Sequence, residues 1–155
     1  MPPTDLVIRS AEWADIQAIC ELDRVTFLTR WTPEVYKRLI ADQRSDLRIA
    51  CIGERLIGFH ATTRVYPDIE LLKIAVQPEF QGAGVGRALL EDAMGSARNH
   101  EYSSCFLEVR ASNARAIRFY RRKGFEVVGV RRAYYRNPVE DALVMRKELS
   151  AVSGT

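Results

Sequence analysis

The sequence predicts one mixed α/β domain, spanning residues 1–155, around a mixed β-sheet. Two observations carry this. Short β-prone runs joined by turn signals fill residues 47–76, and helical and strand patterns alternate after them. A third sets the scale: 155 residues, 47% hydrophobic and 28% charged, suit one domain that buries a core without disulfides or metal.

Leu6-Val7-Ile8-Arg9 is a short β-prone run. Trp13, Ile16, Ile19, Cys20 and Val25 follow near-helical spacing and predict an amphipathic helix. Pro33, after a capping Thr32, reads as a first-turn proline of a second helix running to about Asp42. Residues 47–52 form a strand, Gly53-Glu54 a turn, and residues 56–66 the returning strand. Pro67-Asp68 breaks it, and residues 69–76 add a third strand. Residues 84–99 are helical, with Val85, Leu89, Ala93 and Met94 along one side. Residues 105–109 form a strand. Residues 113–123 are a helix stopped by Gly124. Strands at 125–130 and 143–149 close the pattern, with a frayed tail at 150–155. No repeat, low-complexity segment or linker interrupts it.

Composition excludes several classes. Cys20, Cys51 and Cys105 are odd in number and form no CxxC pair, which argues against a zinc site or disulfide framework. Reduced thiols in a cytoplasmic protein are the expectation. Met1-Pro2-Pro3-Thr4-Asp5 lacks the basic and apolar parts of a signal peptide, and no apolar run approaches the ~20 residues that span a bilayer. No membrane association is expected. A net charge of +3 is too mild to imply direct nucleic-acid binding. The stretch from Arg110 to Arg136 is arginine-rich, however. A solvated face is the ordinary explanation; a nearby anionic ligand is the sharper one.

The first chemical signal is Ile74-Ala75-Val76-Gln77-Pro78-Glu79-Phe80-Gln81-Gly82-Ala83-Gly84-Val85-Gly86-Arg87. A strand ends, Pro78 breaks it, and a glycine-rich loop opens a helix. Glycines let the backbone approach a ligand, and unpaired N–H groups at a helix start attract phosphate. A P-loop would need GxxxxGK and then Ser or Thr, and that lysine is missing. A Rossmann loop needs GxGxxG. Read from Gly82 or from Gly84, the third glycine falls on Arg87 or Leu89, so both readings fail.

The pattern Gln81-x-x-Gly84-x-Gly86 resembles the pyrophosphate loop of the GNAT acetyltransferase superfamily. A second stretch agrees. Leu107-Glu108-Val109-Arg110 precedes an Asn113-capped helix bearing Tyr120, and Gly124-Phe125 leads into the next strand. Arg132-Ala133-Tyr134-Tyr135 and Glu140-Asp141-Ala142-Leu143-Val144-Met145 extend the likeness to the RimI-type group. It covers residues 69–149 well; the first third matches in element order, and Trp31-Thr32-Pro33-Glu34 only loosely resembles the group's substrate-side helix.

This resemblance implies the GNAT fold, a mixed, mostly antiparallel central sheet flanked by helices. It implies acetyl-CoA as co-substrate, no metal, and acetylation of a protein's N-terminal α-amine, with a ribosomal protein as the group's target. It places the cofactor on Ile74, Ala75, Val76, Gln81, Gly82, Ala83, Gly84, Val85, Gly86, Arg87, Asn113 and Tyr120. Glu108 falls on the position of the family's base, with Glu70 as its rival. Tyr120 falls on that of the acid, and Tyr134 and Tyr135 lie beside the peptide backbone. Each has a bland counterpart: an ion-paired glutamate (with Arg110 the nearest partner in sequence), a packed core tyrosine, a capping asparagine, a strand-end aromatic cluster. Arg87 and one of Arg118, Arg121 or Lys123 are guessed, from charge, to meet CoA phosphates. His60 and His100 sit in no metal or triad spacing and are expected to be structural or exposed. Acetylation of a small-molecule amine or of protein lysine, and a non-catalytic acetyl-CoA-binding module, are the alternatives.

Overall fold

The computed structural model describes residues 2–99 and 102–149. The expectations for His100 and for the tail at 150–155 lie outside the described residues. Among the described residues, seven strands form one sheet in the order β1-β2-β3-β4-β5-β7-β6. They are β1 (Leu6–Ser10), β2 (Ser45–Ile52), β3 (Arg55–Val65), β4 (Asp68–Val76), β5 (Ser104–Arg110), β6 (Glu126–Tyr135) and β7 (Glu140–Glu148). Every pairing is antiparallel except β4 with β5. Among the described residues, four α-helices flank the sheet: α1 (Ile16–Thr26), α2 (Pro33–Ala41), α3 (Val85–Asn99) and α4 (Ala114–Arg122).

Local chemistry explains the helix ends. A 3-10 turn at Trp13–Asp15 leads into α1, and the Asp15 carboxylate accepts the Glu12 N–H at 2.7 Å. Pro33 opens α2 as expected, but the Thr32 side chain makes no capping bond. Asn113 does cap α4, accepting the Ala116 N–H at 3.1 Å, a contribution of about 1 kcal/mol. Gly124 ends that helix at φ 95°, a left-handed conformation that disfavours other residues.

The helices divide the core between the two sheet faces. Ile16, Ile19, Leu22 and Tyr36 from α1, α2 and the residues leading into them pack on Ile49 and Phe59. Leu90 and Met94 of α3, Tyr120 of α4 and Phe125 pack on Leu107 and Met145. Val85 and Leu89, at the start of α3, pack on Ala50 and Ile57.

One irregularity matters most. The β3–β4 register passes from Thr62↔Leu71 to Ala61↔Lys73, so Leu72 is an extra residue on β4. This bulge turns both Leu72 and Lys73 toward the α1–α2 layer. The parallel β4–β5 ladder begins at Asp68↔Ser104 and ends at Leu71↔Leu107, beside the bulge. Beyond it the two strands run on without pairing, leaving a V-shaped opening.

The last hairpin differs from expectation. β6 runs on to Tyr135 and β7 starts at Glu140, because the charged Arg131-Arg132 and Glu140-Asp141 interrupt the apolar alternation while pairing, though shifted in register, resumes at Tyr135↔Glu140. β6 is an edge strand with mostly exposed side chains, so no buried face imposes a period on it.

Candidate active site

The glycine loop lies at the wide end of the V. Gln77 N–H donates to Ile57 C=O at 2.8 Å. Alternate N–H groups of a strand point to opposite sides, so those of Val76 and Ile74 face the gap that β5 has left, and Ala75 faces β3. Gly82 and Gly84 sit at φ 83° and 86°, which an L-residue adopts only with strain. Ala88 N–H bonds Gly84 C=O at 3.1 Å. The N–H groups of Val85, Gly86 and Arg87 therefore begin α3 without intrahelical acceptors, a positive helix end suited to phosphate. Ala83 bridges the two glycines, its N–H held by Phe80 C=O at 3.3 Å. A Cβ on Gly86 would touch Phe119 at 3.7 Å, since α4 crosses there.

Gln81 ties this loop together. Its Nε2 donates to Val76 C=O at 3.2 Å, and its Oε1 accepts from Arg115 on α4. Arg115 had no distinguishing sequence signal within an arginine-rich helix. Arg87 is exposed and pairs with Glu91 one turn along at 3.3 Å.

Glu108 and Glu70, one from each strand of the V, line a common cleft of about 410 Å³ with Val65, Phe106, Val144 and Arg131. Glu108 is not paired with Arg110. Its Oε2 accepts from Arg131 of β6 at 2.8 Å. Burial, then the charge of Glu108, push the Glu70 carboxyl up from its ordinary value, and Arg131 opposes them.

Arg131 reaches the cleft in regular register, and the two tyrosines follow it on distorted backbone. The β6–β7 register is irregular between Arg131 and Tyr135, and Ala133 lies at φ 51°, its N–H held by Asp141 Oδ1 at 2.8 Å. Consecutive strand residues ordinarily face opposite ways. Here the Tyr134 and Tyr135 rings stand 5.2 Å apart. The Arg131 guanidinium lies 4.8 Å from the Tyr134 ring, and that of Arg110 lies 4.4 Å from Tyr135. Burial and the charge of Glu108 raise the Tyr135 phenol to about 12.

Tyr120 is 7% exposed and makes ring contacts with Phe119 and Phe125. Its hydroxyl has no hydrogen-bond partner among the described residues, unlike that of a packed, satisfied core tyrosine. Burial, with smaller effects of Cys105 and Tyr135, raises it well above the ordinary phenol range.

Arg110 instead pairs with Glu140 at 3.1 Å. On the other side of the opening lies a buried group that sequence reasoning passed over. Lys73 Nζ donates to Asp23 Oδ2 at 2.9 Å and stacks on Phe27 and Trp31 at 4.3 and 4.2 Å. Tyr36 Oη also donates to Asp23. A lone lysine inside the apolar run Leu71-Leu72-Lys73-Ile74 was the available signal. His60 is buried, bonded to Thr62 and Asp92 at 2.9 Å each, and is not among the residues lining this cleft. Among the described residues no group of three or more His, Cys, Asp or Glu is placed to hold a metal ion, and no helix is long and apolar enough to cross a membrane.

Comparison with known proteins agrees with this architecture. Residues 16–125 match the acetyltransferase (GNAT) family model. The N-alpha-acetyltransferase RimI of Mycobacterium tuberculosis is 35% identical over 141 residues, covering 87% of each chain. The ribosomal protein bS18-alanine N-acetyltransferase of Escherichia coli K12 is 31% identical over 145 residues, covering 92% of this chain and 97% of its own. The crystal structure of the Escherichia coli ribosomal-protein-S18-alanine N-acetyltransferase superposes with a TM-score of 0.85 at 30% identity, covering 93% of this chain and 94% of that one. Ard1 from Thermoplasma volcanium shares the fold, with a TM-score of 0.89 at 24% identity over 94% of this chain and 99% of its own. The chain belongs to the acetyltransferase (GNAT) family, and within it resembles the RimI-type enzymes.

Proposed function

We propose that this chain uses acetyl-CoA to acetylate the N-terminal α-amino group of a protein, with a ribosomal protein as the favoured acceptor. The carrying observation is convergence. Glu108, Tyr120, Tyr134 and Tyr135 come from three elements and gather where β4 and β5 part. The relatives named for ribosomal-protein acetylation, 31% identical over nearly the whole chain, support the choice of acceptor.

Acetyl-CoA supplies a thioester-activated acetyl group. The N–H groups opening α3 and the loop from Gln81 through Ala83 to Arg87 hold its pyrophosphate, and Asn113 adds a polar contact at the start of α4. The residues from Ile74 through Ala75 to Val76 hold the arm, with the Ile74 and Val76 N–H groups aimed at the thioester carbonyl. Tyr134 and Tyr135 flank the incoming peptide terminus.

The attacking amine must be neutral. An α-amine has a pKa near ~8 against ~10.4 for lysine, so a carboxylate acting through one water suffices. Glu108 takes that proton, with Arg131 donating to its Oε2 at 2.8 Å. Tyr120 keeps its own proton through neutral pH and delivers it to the departing sulfur, whose thiol pKa is about 8.5.

The test is thiol release from acetyl-CoA with a panel of N-terminal peptides, lysine peptides and small amines. Turnover concentrated on free N-terminal peptides is expected. Activity on small amines or lysine alone would refute the acceptor class, and CoA binding without any turnover would leave a binding module.

A further inference from the structure

The segment between α1 and α2 is held from both arms of the V. Lys73 of β4 donates through Nζ to Thr29 C=O at 2.9 Å. Arg110 of β5 donates through Nη2 to the Thr29 hydroxyl at 3.0 Å. Asp23 Oδ2 accepts the Trp31 N–H at 3.2 Å, fixing the same segment from α1.

Arg110 also holds the β6–β7 turn. Its guanidinium bonds Arg136 C=O at 3.3 Å, Pro138 C=O at 3.2 Å and Glu140 Oε1 at 3.1 Å. The other Glu140 oxygen accepts the Ser112 N–H at 2.7 Å. Arg110 is 10% exposed at its side chain, so withdrawing its charge from water has a cost that these partners offset. Five N–H donors in a rigid plane let one side chain join two segments that share no backbone pairing. The end of β5 needs none of this, since its ladder to β7 already runs through Arg110↔Ala142.

We infer that Arg110 and Thr29 are positioning residues that clamp residues 27–32 and 136–139 at a set spacing beside Tyr135, whose ring lies 4.4 Å from the Arg110 guanidinium, and thereby hold the side of the site proposed for the acyl acceptor. Neither touches the reacting atoms. The clamp is read from geometry alone, whereas its acceptor role rests on the proposed peptide acetylation. Thr29 is exposed, so Thr29→Val deletes one hydrogen bond with little threat to folding.

The experiment compares Thr29→Val, Thr29→Ser and Arg110→Lys with the unaltered protein. It reads peptide KM, kcat, acetyl-CoA KM, and hydrogen–deuterium exchange in residues 27–32 and 136–139. Thr29→Val is expected to raise peptide KM about tenfold, the scale of one hydrogen bond to a charged group. Its kcat and acetyl-CoA KM stay within about twofold, and both segments exchange faster. Thr29→Ser restores the hydroxyl and behaves as the unaltered protein. Arg110→Lys, lacking the planar fork, raises peptide KM further. Unchanged exchange in Thr29→Val, or equal impairment by Ser and Val, would overturn the clamp. Faster exchange with an unchanged peptide KM would overturn its acceptor role. If the unaltered protein acetylates no peptide, the proposed function fails and the acceptor role with it, while exchange still decides the clamp.

Discussion

Replacing Tyr120 with Phe removes one hydroxyl and leaves the ring in place. The ring contacts to Phe119 and Phe125, at centroid distances of 5.3 and 5.6 Å, persist. A buried hydroxyl that donates a hydrogen bond within the protein is worth about 1 kcal/mol. This one has no such partner among the described residues, so the stability change should stay within about 0.5 kcal/mol. Turnover should respond very differently. General acids contribute roughly 10²–10⁴-fold. Burial raises Tyr120 above the ordinary phenol value of about 10, and the accepting thiolate has a conjugate pKa near about 8.5, so the transfer runs uphill. That places the loss at the low end, about 10²-fold in kcat or ~2.7 kcal/mol. The assay is thiol release at saturating acetyl-CoA and peptide, with calorimetric CoA titration and thermal unfolding alongside. CoA affinity should change less than about threefold. A kcat within about threefold of the unaltered protein would remove Tyr120 from the acid role. A kcat loss matched by a large fall in Tm would reduce it to a packing residue.

Glu108→Gln should lower kcat/KM most at acidic pH, where the α-amine most needs deprotonation; a flat response there, with a loss in Glu70→Gln, would move the base to Glu70. Arg131→Ala removes the cation that opposes Glu108 at Glu70, so the Glu70 carboxyl holds its proton to higher pH; an unmoved Glu70 titration, read by NMR, would refute the coupling. Gly84→Ala places a Cβ at φ 86°, at a cost of roughly 1–2 kcal/mol, and should weaken CoA binding well beyond any change in peptide KM, as read by calorimetry. Burial pushes the Asp92 carboxyl up, but hydrogen bonds from His60 and Arg48 outweigh it and bring it from 3.8 to about 2. The folded-state value is depressed, so this stability is complete above pH ~4 and is lost as pH falls toward 2, a swing of roughly 2 kcal/mol. Acid denaturation of Asp92→Asn should lack that component, and an unaltered acid limb would show the network contributes nothing.

The order of elements and the loop were legible in the sequence because local rules write them. Helical spacing in residues 16–25, Pro33 at a helix start, Gly124 at a helix end and the glycines at 82, 84 and 86 each constrain only a few neighbouring residues. The spacing of that loop also excluded two other phosphate-binding motifs, and resemblance placed Glu108 and Tyr120. What only the tertiary structure decided is which charges meet. Arg131 lies 23 residues from Glu108 and reaches it across β7, where Glu108 pairs with Val144 and Arg131 with Ala142 on the same face. Arg110, the nearer cation in sequence, is drawn to Glu140 and Thr29 instead. Strand alternation puts Glu108 and Arg110 on one face, but it does not say which neighbouring strand supplies the partner. The V between β4 and β5 was equally hidden. It depends on one unpaired residue, Leu72, and a bulge is a property of two strands in register rather than of either strand's own residues.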